Sequence, residues 1–517
     1  MVVQRKHLAG MALGGLLVGG VLMALVAGVA SPGIRDQRIA DAAEKQDMAA
    51  VRTLLEQGVD ANSTQADGAT ALHWAVHWDD IATAEVLIGE GANVDAANEY
   101  GATPLSLACT NGNGTMVQAL LDAGANANSA AQSGETVLMR CARSGRPEAV
   151  KALLAHGAQV NAKDNEHGQT ALMWAVSQKH PEAVQALIDG DADIQARSNG
   201  GFSALMFAAR VGDTKSAELL LTAGADVNEK GPQGMTPVVL ASASGQEEVG
   251  ILLLEKGADA NAKDEYGATA LHYAVTKGIT SLNGVRYANY VSYLFRPSEP
   301  QLVEALLKHG ANPNVQLEKG PPLGGGGSPA AVGATPYILA AASPDPAVMR
   351  MLADAGADTK LATNTGLTPV MVAAGTARGQ DFTEEEKKVA FEAVQLAVEL
   401  GGDVTAANQD GLTALHGAAA NGADAVVQFL VQKGAKIDVR DKYQQTPLSI
   451  AAGERLPWIP YGDELGEIIQ PSTRDLLLKL GATPLTAPGY FKPPSEESDA
   501  YRINRSQRGL DTQPQQP

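Results

Sequence analysis

The sequence predicts an all-α protein, a solenoid of about twelve stacked helix–turn–helix repeats with β-turn loops. Two phrases recur in phase along its 517 residues. The first, Gly-Ala-Asp/Asn-x-Asn, begins at Gly91, Gly124 and Gly157, at intervals of 33 residues. The second, Gly-x-Thr-Pro/Ala-Leu, follows about ten residues later, as at 68–72 and 101–105. A fixed period of this length is typical of solenoids.

Each element of the repeat follows from local chemistry. Thr followed by Pro or Ala predicts the start of a first helix, because Pro is tolerated at a first helical position and a Thr hydroxyl caps free N–H groups. Leu and small Ala/Val residues predict a short helix that ends at a glycine such as Gly145 or Gly212. A second helix then carries paired leucines, such as Leu153 and Leu154. Since one such pair of helices cannot bury its own apolar face, each repeat needs neighbours.

The run Thr-Pro/Ala-Leu-His-x-Ala, followed by Leu-Leu-x-x-Gly-Ala-Asp-Val-Asn, resembles the ankyrin repeat. The resemblance extends over 36–484, and the segment 411–431 looks like a bacterial exported branch of that family. Residues 39–62 lack the opening motif and are predicted to form an N-terminal cap. The resemblance implies a concave surface of turn tips and first helices that binds another protein. The motif positions are occupied by Thr70, Thr103, Thr136, Thr170, Ser203, Thr236, Thr269, Thr335, Thr368, Thr413 and Thr446.

The N-terminal 30 residues predict export. Arg5 and Lys6 precede an uncharged apolar run, residues 8–30, that ends in small residues before Ser31. This pattern is typical of a secretory signal peptide. The run is also long enough to span a bilayer, so it is either a cleaved signal or an N-terminal anchor in the inner membrane. Both alternatives place the repeats outside the cytoplasm, in the periplasm or outside the cell.

Composition and motifs narrow the class of function. The formal net charge of −19 favours a soluble, monomeric chain and argues against binding nucleic acid. No catalytic, phosphate-binding or dinucleotide motif is present, so we expect neither an enzyme nor a cofactor. His73, His272 and His416 share one motif position, where the resemblance implies a histidine that ties the turn by hydrogen bonds. His77, four residues after His73, has no third ligand nearby in the sequence, so we predict no metal site.

Cys109 and Cys141 fall in the first helices of adjacent repeats. Their motif positions differ by one residue, so we expect their side chains to point in different directions. The prediction is two buried, unpaired thiols in alanine-like sites. A disulfide is chemically allowed outside the cytoplasm and stays open as the alternative.

Aromatic residues supply the candidate binding positions. Trp74, Trp174, Phe207 and Tyr273 lie four residues after the motif Thr or Ser, where most repeats carry an apolar residue, so we assign them to packing. Trp78 lies one turn further on. Tyr100, Tyr266 and Tyr443 stand beside the motif Gly position at three turn tips, a place typical of recognition residues. These last four residues are candidates for partner binding: Trp78, Tyr100, Tyr266 and Tyr443.

Four insertions interrupt the second half of the solenoid, at about 279–299, 316–332, 376–390 and 453–471. Insertions of this kind form loops on one face of a solenoid, often the binding face. The second is Gly/Pro-rich, and the third is equally consistent with an extension of the following helix. Residues 485–517 are Pro/Gln-rich and predicted to be a disordered tail. The first and last insertions add six candidate residues: Tyr287, Tyr290, Tyr293, Phe295, Trp458 and Tyr461.

We therefore expect a non-enzymatic, exported scaffold that binds a protein partner by its concave face and inserted loops. Three alternatives stay open. One is an accessory or protective factor for a periplasmic redox enzyme or cytochrome system. Another is a scaffold tethered to the membrane through residues 8–30. The third is a secreted effector directed at a host cell.

Overall fold

The computed structural model describes residues 36–275, 299–319, 332–376, 383–453 and 470–485. Within these ranges the chain forms twenty-four α-helices, one 3-10 turn (Pro232–Gly234) and, apart from three isolated bridges, no β structure. The helices form twelve consecutive pairs, which confirms the predicted all-α solenoid. The predicted leader, most of the first insertion and nearly all of the tail lie outside the described residues.

The helices form two rows. The first row contains the first helix of every pair: α1 (Arg38–Glu44), α3 (Ala71–His77), α5 (Pro104–Asn111), α7 (Val137–Ser144), α9 (Ala171–Ser177), α11 (Ala204–Val211), α13 (Pro237–Ala243), α15 (Ala270–Val275), α17 (Pro336–Ala342), α19 (Pro369–Ala373), α21 (Ala414–Ala420) and α23 (Pro447–Ala451).

The second row contains the partners: α2 (Met48–Glu56), α4 (Ile81–Gly89), α6 (Gly114–Asp122), α8 (Pro147–Ala155), α10 (Pro181–Asp189), α12 (Thr214–Thr222), α14 (Glu247–Glu255), α16 (Pro300–Lys308), α18 (Pro346–Asp354), α20 (Glu384–Glu399), α22 (Asp424–Gln432) and α24 (Pro471–Lys479). Each helix contacts its partner and the next helix of its own row. We number the pairs as repeats 1 to 12. The loop that precedes each first-row helix is called the finger of that repeat.

The recurrent sequence of the first helix has a structural cause that is visible in repeat 2. The Thr70 hydroxyl accepts from the backbone N–H of His73, and the His73 Nδ1 accepts from the Thr70 N–H at 3.2 Å. The ring Nε2 lies 3.0 Å from the carbonyl oxygen of Ala102, in the next finger. Because Nδ1 is an acceptor, Nε2 carries the proton and donates. The histidine therefore caps its own helix and ties it to the following repeat, as predicted.

The same arrangement holds at His272, whose Nε2 donates to the Val315 carbonyl oxygen at 3.0 Å, and at His416 with Gln445 at 3.3 Å. Burial lowers the pKa of all three histidines, and that of His272 falls to about 4. These rings are therefore neutral near pH 7 and have a structural role.

The asparagine that ends the phrase Gly-Ala-Asp-x-Asn links consecutive repeats. The Asn128 Nδ2 donates to the Gly157 carbonyl oxygen at 3.0 Å, and its Oδ1 accepts from the Gln159 N–H at 2.8 Å. One side chain thus satisfies a carbonyl and an N–H at the end of the next helix pair. The same two bonds to the next repeat are made by Asn62, Asn228, Asn261 and Asn314.

A second link runs between the finger tips. The Glu99 N–H donates to the Asp67 carbonyl oxygen at 2.8 Å, and equivalent backbone bonds join most later pairs of fingers. In the described part of the chain this bond is missing at two places. One lies between the fingers of repeats 3 and 4, and the other between those of repeats 6 and 7.

The two cysteines form a disulfide, with their Cα atoms 4.5 Å apart, and both are fully buried. The prediction of two unpaired thiols was wrong. The reason is geometric: equal motif positions on stacked helices point in parallel directions, so two side chains that face each other must occupy unequal positions. Cys109 on α5 faces forward to repeat 4, and Cys141 on α7 faces back to repeat 3. The offset of one residue permits the bond that it was taken to exclude.

The third insertion is partly helical. Helix α20 has 16 residues, against nine in every other second-row helix, and its first residues are the charged run Glu384–Lys388. The Thr383 hydroxyl accepts from the Glu386 N–H at 3.2 Å, while the Glu386 carboxylate accepts from the Thr383 N–H at 2.8 Å. This capping box fixes the start of the extended helix. The charged part of the insertion is therefore an extension of the following helix, one of the two alternatives that its sequence left open.

None of the described helices is both long and apolar enough to cross a membrane. Residues 8–30, the predicted signal or anchor, are outside the described ranges.

Candidate partner-binding surface

The four candidate residues that the structure describes lie on fingers or at the end of a first-row helix. Tyr100, on the finger of repeat 3, has 83% of its side chain exposed. Tyr443, on the finger of repeat 12, and Trp78, directly after α3, are 42% and 43% exposed. Tyr266, on the finger of repeat 8, is half-buried. The structure spreads these residues from repeat 2 to repeat 12 and does not bring them into one cluster.

Six candidate residues lie outside the described ranges: Tyr287, Tyr290, Tyr293, Phe295, Trp458 and Tyr461. Their role in binding stays a prediction.

An aromatic cluster surrounds Trp78 at the N-terminal end of the first row. The ring of His77 lies 5.6 Å from that of Trp74 and 4.7 Å from that of Trp78, both in edge arrangements. The Trp78 Nε1 donates to the Glu44 carbonyl oxygen at 3.1 Å. Its indole is therefore held in place although much of it faces solvent.

Gln65 fixes the other tryptophan of this cluster. Its Oε1 accepts from the Trp74 Nε1 at 2.7 Å. Its Nε2 donates to the Asp41 carboxylate at 2.9 Å and to the Glu44 carboxylate at 2.8 Å. The finger of repeat 2 is thereby tied to α1, and the aromatic cluster is preorganised.

The charge on the first row is unevenly distributed. From α3 to α23, the described first-row helices contain three charged residues in all, and all three are arginines: Arg140 and Arg143 on α7, and Arg210 on α11. Helix α9 lies between α7 and α11 and carries Trp174. This is unexpected for a chain with a net charge of −19. We call these residues, with Phe202 and Phe207, the arginine–aromatic patch.

The two arginines on α7 share one acid. Arg140 Nη2 lies 2.8 Å from Glu135 Oε2, and Arg143 Nη1 lies 3.3 Å from Glu135 Oε1. The Cζ of Arg143 also lies 5.4 Å from the centre of the Trp174 ring, within the range of a cation–π contact. One carboxylate therefore faces two guanidinium groups, which leaves a local positive charge.

Arg210 has aromatic neighbours and no acid. Its Cζ lies 4.9 Å from the centre of the Phe207 ring and 5.5 Å from that of Phe202. No carboxylate of the described chain lies within ion-pair distance of it. Burial lowers the pKa of this guanidinium, which stays charged at neutral pH. The desolvation cost of this half-buried charge is offset by contacts with two aromatic rings and by no ion pair within the described chain.

Sequence analysis assigned Trp174 and Phe207 to packing, and their burial agrees with this: Trp174 is partly buried and Phe207 is 3% exposed. The arginines beside them were missed. The available signal was position: Arg140 lies four residues after the motif Thr136, and Arg143 and Arg210 lie seven after Thr136 and Ser203. Tabulating charges by motif position would have isolated them.

The fold and this surface define a helical-repeat solenoid whose fingers expose side chains such as Tyr100 to solvent. The family described as ankyrin repeats (three copies) matches residues 39–131, 124–198, 205–316 and 386–459, more than half of the chain. The chain belongs to the ankyrin repeat family. Members of this family generally mediate protein–protein interactions, and the fold is generally non-enzymatic.

Among solved structures, the chain is similar to the human ASB11 ankyrin repeat domain. The two share 26% sequence identity at a TM-score of 0.38, and the match covers 42% of this chain and 96% of that one. No curated protein matches the chain.

Proposed function

We propose that this chain is a bacterial envelope scaffold that binds a partner protein through its fingers, its first-row helices and its inserted loops. One observation carries the proposal. Among the described residues, the well-exposed large aromatic side chains are Trp78, Tyr100 and Tyr443. All three stand on fingers or at the end of a first-row helix, and none is on the second row. Exposed aromatic residues of this kind are typical anchors of protein interfaces.

The links between fingers support a binding role. Backbone bonds such as Glu99 N–H to Asp67 O, at 2.8 Å, fix most of the described fingers against a neighbour before any partner arrives. A surface that is already ordered loses less conformational entropy on binding, so more of its contact energy appears as affinity.

The disulfide supports export. Cys109 and Cys141 are bonded and fully buried, and structural disulfides persist in oxidising compartments such as the periplasm and the cell exterior. Together with the apolar run at 8–30, this favours export across the inner membrane over retention in the cytoplasm.

Crosslinking and affinity capture from the native envelope would test the binding role. A double variant, Trp78→Ala with Tyr100→Ala, should lose the partner that the wild-type chain retains. The matched control is Leu478→Ala on α24, since Leu478 is 41% exposed but belongs to the second row. Equal capture by wild type, double variant and control would show that Trp78 and Tyr100 do not contribute to partner binding.

A deletion of 279–299 in the same experiment tests the inserted loop separately. Loss of one partner with an unchanged melting curve would place that loop in the interface. Retention of every partner would show that this loop is not part of the interface.

Export has its own test. Cell fractionation should recover the protein in the envelope, with Cys109 and Cys141 protected from a thiol reagent until a reductant is added. Sequencing of the mature N-terminus distinguishes cleavage before Ser31 from a retained anchor. Recovery in the cytoplasm with both thiols free would refute the proposed location.

A further inference from the structure

We propose that the arginine–aromatic patch of repeats 4 to 6 binds an extended acidic segment of the partner protein, with two acidic residues about six residues apart and an apolar residue between them. This inference rests on the proposed function, because it identifies the chemistry of the partner. It starts from the charge pattern of the first row, where Arg140, Arg143 and Arg210 are the charged residues of α3 to α23 within the described chain.

The first argument concerns Arg210. Its guanidinium is half-buried against Phe202 and Phe207, at 5.5 and 4.9 Å, and no described carboxylate pairs with it. The planar fork of an arginine matches a carboxylate with two parallel hydrogen bonds. Stacking on the rings orders that fork in advance, so little side-chain entropy is lost when an acid binds. A carboxylate from outside would provide the counter-ion that the described residues do not supply.

The second argument concerns Arg143. It shares Glu135 with Arg140, so the three groups carry a formal charge of about +1 between them. Its 39% exposed side chain keeps the guanidinium accessible to a ligand. Trp174 is on α9, the helix between the two helices that carry the arginines; its ring lies 5.4 Å from Arg143 and offers an apolar surface beside it.

The spacing of the two sites fixes the form of the ligand. Arg143 and Arg210 are on α7 and α11, two helices apart in the first row. Adjacent packed helices lie about 8–10 Å apart, so the two guanidinium groups stand roughly 20 Å apart along the solenoid. An extended chain advances about 3.3 Å per residue, so about six residues separate the two acids. A ligand residue next to the acid bound at Arg143 would lie over Trp174.

The charge of the whole chain selects a short acidic peptide over nucleic acid. At a net charge of −19, a long polyanion would be repelled outside the patch. A local acidic segment contacts only the arginines and avoids most of that repulsion, which is also screened beyond about 8 Å at physiological salt.

A library of random twelve-residue peptides, displayed and selected against the full chain, tests the inference while the partner is still unidentified. The selected peptides should be enriched in Asp and Glu, with two acids about six residues apart. The best peptide, synthesised with a fluorescent label, should bind about 10- to 100-fold more weakly when either acid is changed to Asn or Gln, the usual range for one charged hydrogen-bonding pair. Raising the salt concentration should weaken it further.

Substitution of single arginines tests which side chains bind the acidic peptide. Arg210→Gln and, on another helix, Arg143→Gln should each remove the preference for acidic peptides, while Arg210→Lys should keep part of it. Arg350→Gln is the control, since Arg350 pairs with Glu399 at 3.4 Å on the second row. Circular dichroism melting curves of all four variants check that they fold, and two arginines on separate helices keep the test valid if one variant does not.

The outcomes separate this inference from the proposed function. Selected peptides without acidic enrichment, or with affinity unchanged in both Gln variants, would overturn the acidic ligand and leave protein binding intact. A selection that yields no peptide overturns the inference as well, and the capture experiment then decides whether protein binding itself stands. If single-stranded DNA, added at the same concentration of negative charge, displaces the peptide, the patch binds polyanions in general. That result would also overturn the inference of an acidic peptide ligand.

Discussion

Two junctions of the solenoid lack the same hydrogen bond and are held in different ways. Between repeats 3 and 4, no N–H of the finger at 131–134 donates to the preceding finger. Between repeats 6 and 7, the corresponding position is Pro232, which has no N–H to donate. Every other pair of successive fingers in the described chain, from repeat 2 to repeat 12, keeps the backbone bond.

The junction of repeats 3 and 4 is also short of a side-chain bond. Asp95 occupies the position that Asn128 occupies one repeat later. Its carboxylate accepts from the Asn126 N–H at 2.9 Å, but unlike the asparagine side chain it has no N–H to donate. The disulfide between Cys109 and Cys141 crosses this same junction. A covalent bond is present at a junction where two of the usual hydrogen bonds are missing.

The junction of repeats 6 and 7 uses a buried acid. Glu229, 6% exposed, lies on the finger of repeat 7 and reaches back to repeat 6. Its Oε2 lies 2.9 Å from Arg197 Nη2, and its Oε1 accepts from the Ser203 hydroxyl. Burial raises the pKa of Glu229, although the Ser203 hydrogen bond and the Arg197 charge lower it. This link is ionic and titratable.

The comparison shows that a solenoid can lose a repeated backbone bond at one interface if another contact crosses the same interface. Stability of such a protein is approximately a sum of repeat and interface contributions. The two junctions therefore respond to different conditions: one to reductant and the other to pH.

The largest expected effect is loss of the disulfide. Reducing it, or changing both cysteines to alanine, should lower the free energy of unfolding by about 3–4 kcal/mol, because a bond between residues 32 apart restricts the unfolded chain. Amide hydrogen exchange should rise first in α5 to α8. In the double-alanine variant, reductant should have no effect. Unchanged exchange in the reduced wild type would mean that packing alone holds the junction.

The next largest effect is expected from removal of Glu229, the buried acid at the junction of repeats 6 and 7. Glu229→Ala should cost about 1–3 kcal/mol, since it leaves the buried Ser203 hydroxyl and the Arg197 guanidinium without their acceptor. Glu229→Gln keeps an acceptor of similar shape and serves as the control, with a smaller loss. Chemical denaturation of both variants measures the difference. Equal losses would show that the volume of the side chain matters and its hydrogen bonding does not.

Acidification tests a third link between repeats, that of His272 on α15 to repeat 9. His272 has its pKa lowered by burial to about 4, below its value of about 6.5 in an unfolded chain. The unfolded chain therefore takes up a proton first, and stability is lost as the pH falls from about 6.5 towards 4. At pH 5 this one group costs about 2 kcal/mol. The raised pKa of Glu229 acts in the opposite direction, since protonation favours the folded state there.

Urea denaturation at pH 7 and pH 5 measures this effect. The free energy of unfolding of the wild-type chain should be lower at pH 5 than at pH 7. In the His272→Gln variant, the difference between the two values should be smaller. A wild type that is equally stable at both values would contradict the neutral, buried histidines.

The smallest expected effect is a gain. Asp95→Asn supplies the N–H that the junction of repeats 3 and 4 lacks and should stabilise the chain by about 0.5–1.5 kcal/mol, most visibly after reduction of the disulfide. The reverse change, Asn128→Asp, removes the same donor one repeat later and should destabilise by a similar amount. If Asp95→Asn lowers the melting midpoint, the missing donor is not what distinguishes this junction.

Local chemistry in the sequence was sufficient for the helices and their caps. Thr before Pro or Ala marks the start of the first-row helices, and the role of His73 follows from its motif position. The exposure of Tyr100 was also predictable, because the residue beside a turn glycine has few neighbours. These features depend on residues close together in the chain.

Contacts between side chains of different repeats were harder to predict. The pairing of Cys109 with Cys141 depends on the direction in which each helix faces its neighbour, and motif phase alone led to the wrong answer. The acid-free surroundings of Arg210 depend on residues of other helices. The aromatic residues of the inserted loops lie outside the described chain and stay predictions.

The disulfide also changes how the chain would respond to a pulling force. A stretched polypeptide extends by about 3.3–3.6 Å per residue, so the residues between Cys109 and Cys141 represent roughly 100 Å of contour length. In the oxidised chain that length cannot be released by tension, and repeats 3 and 4 share a closed loop that carries no load. Under load the solenoid would yield elsewhere first, and reductant would add one discrete increment of extension.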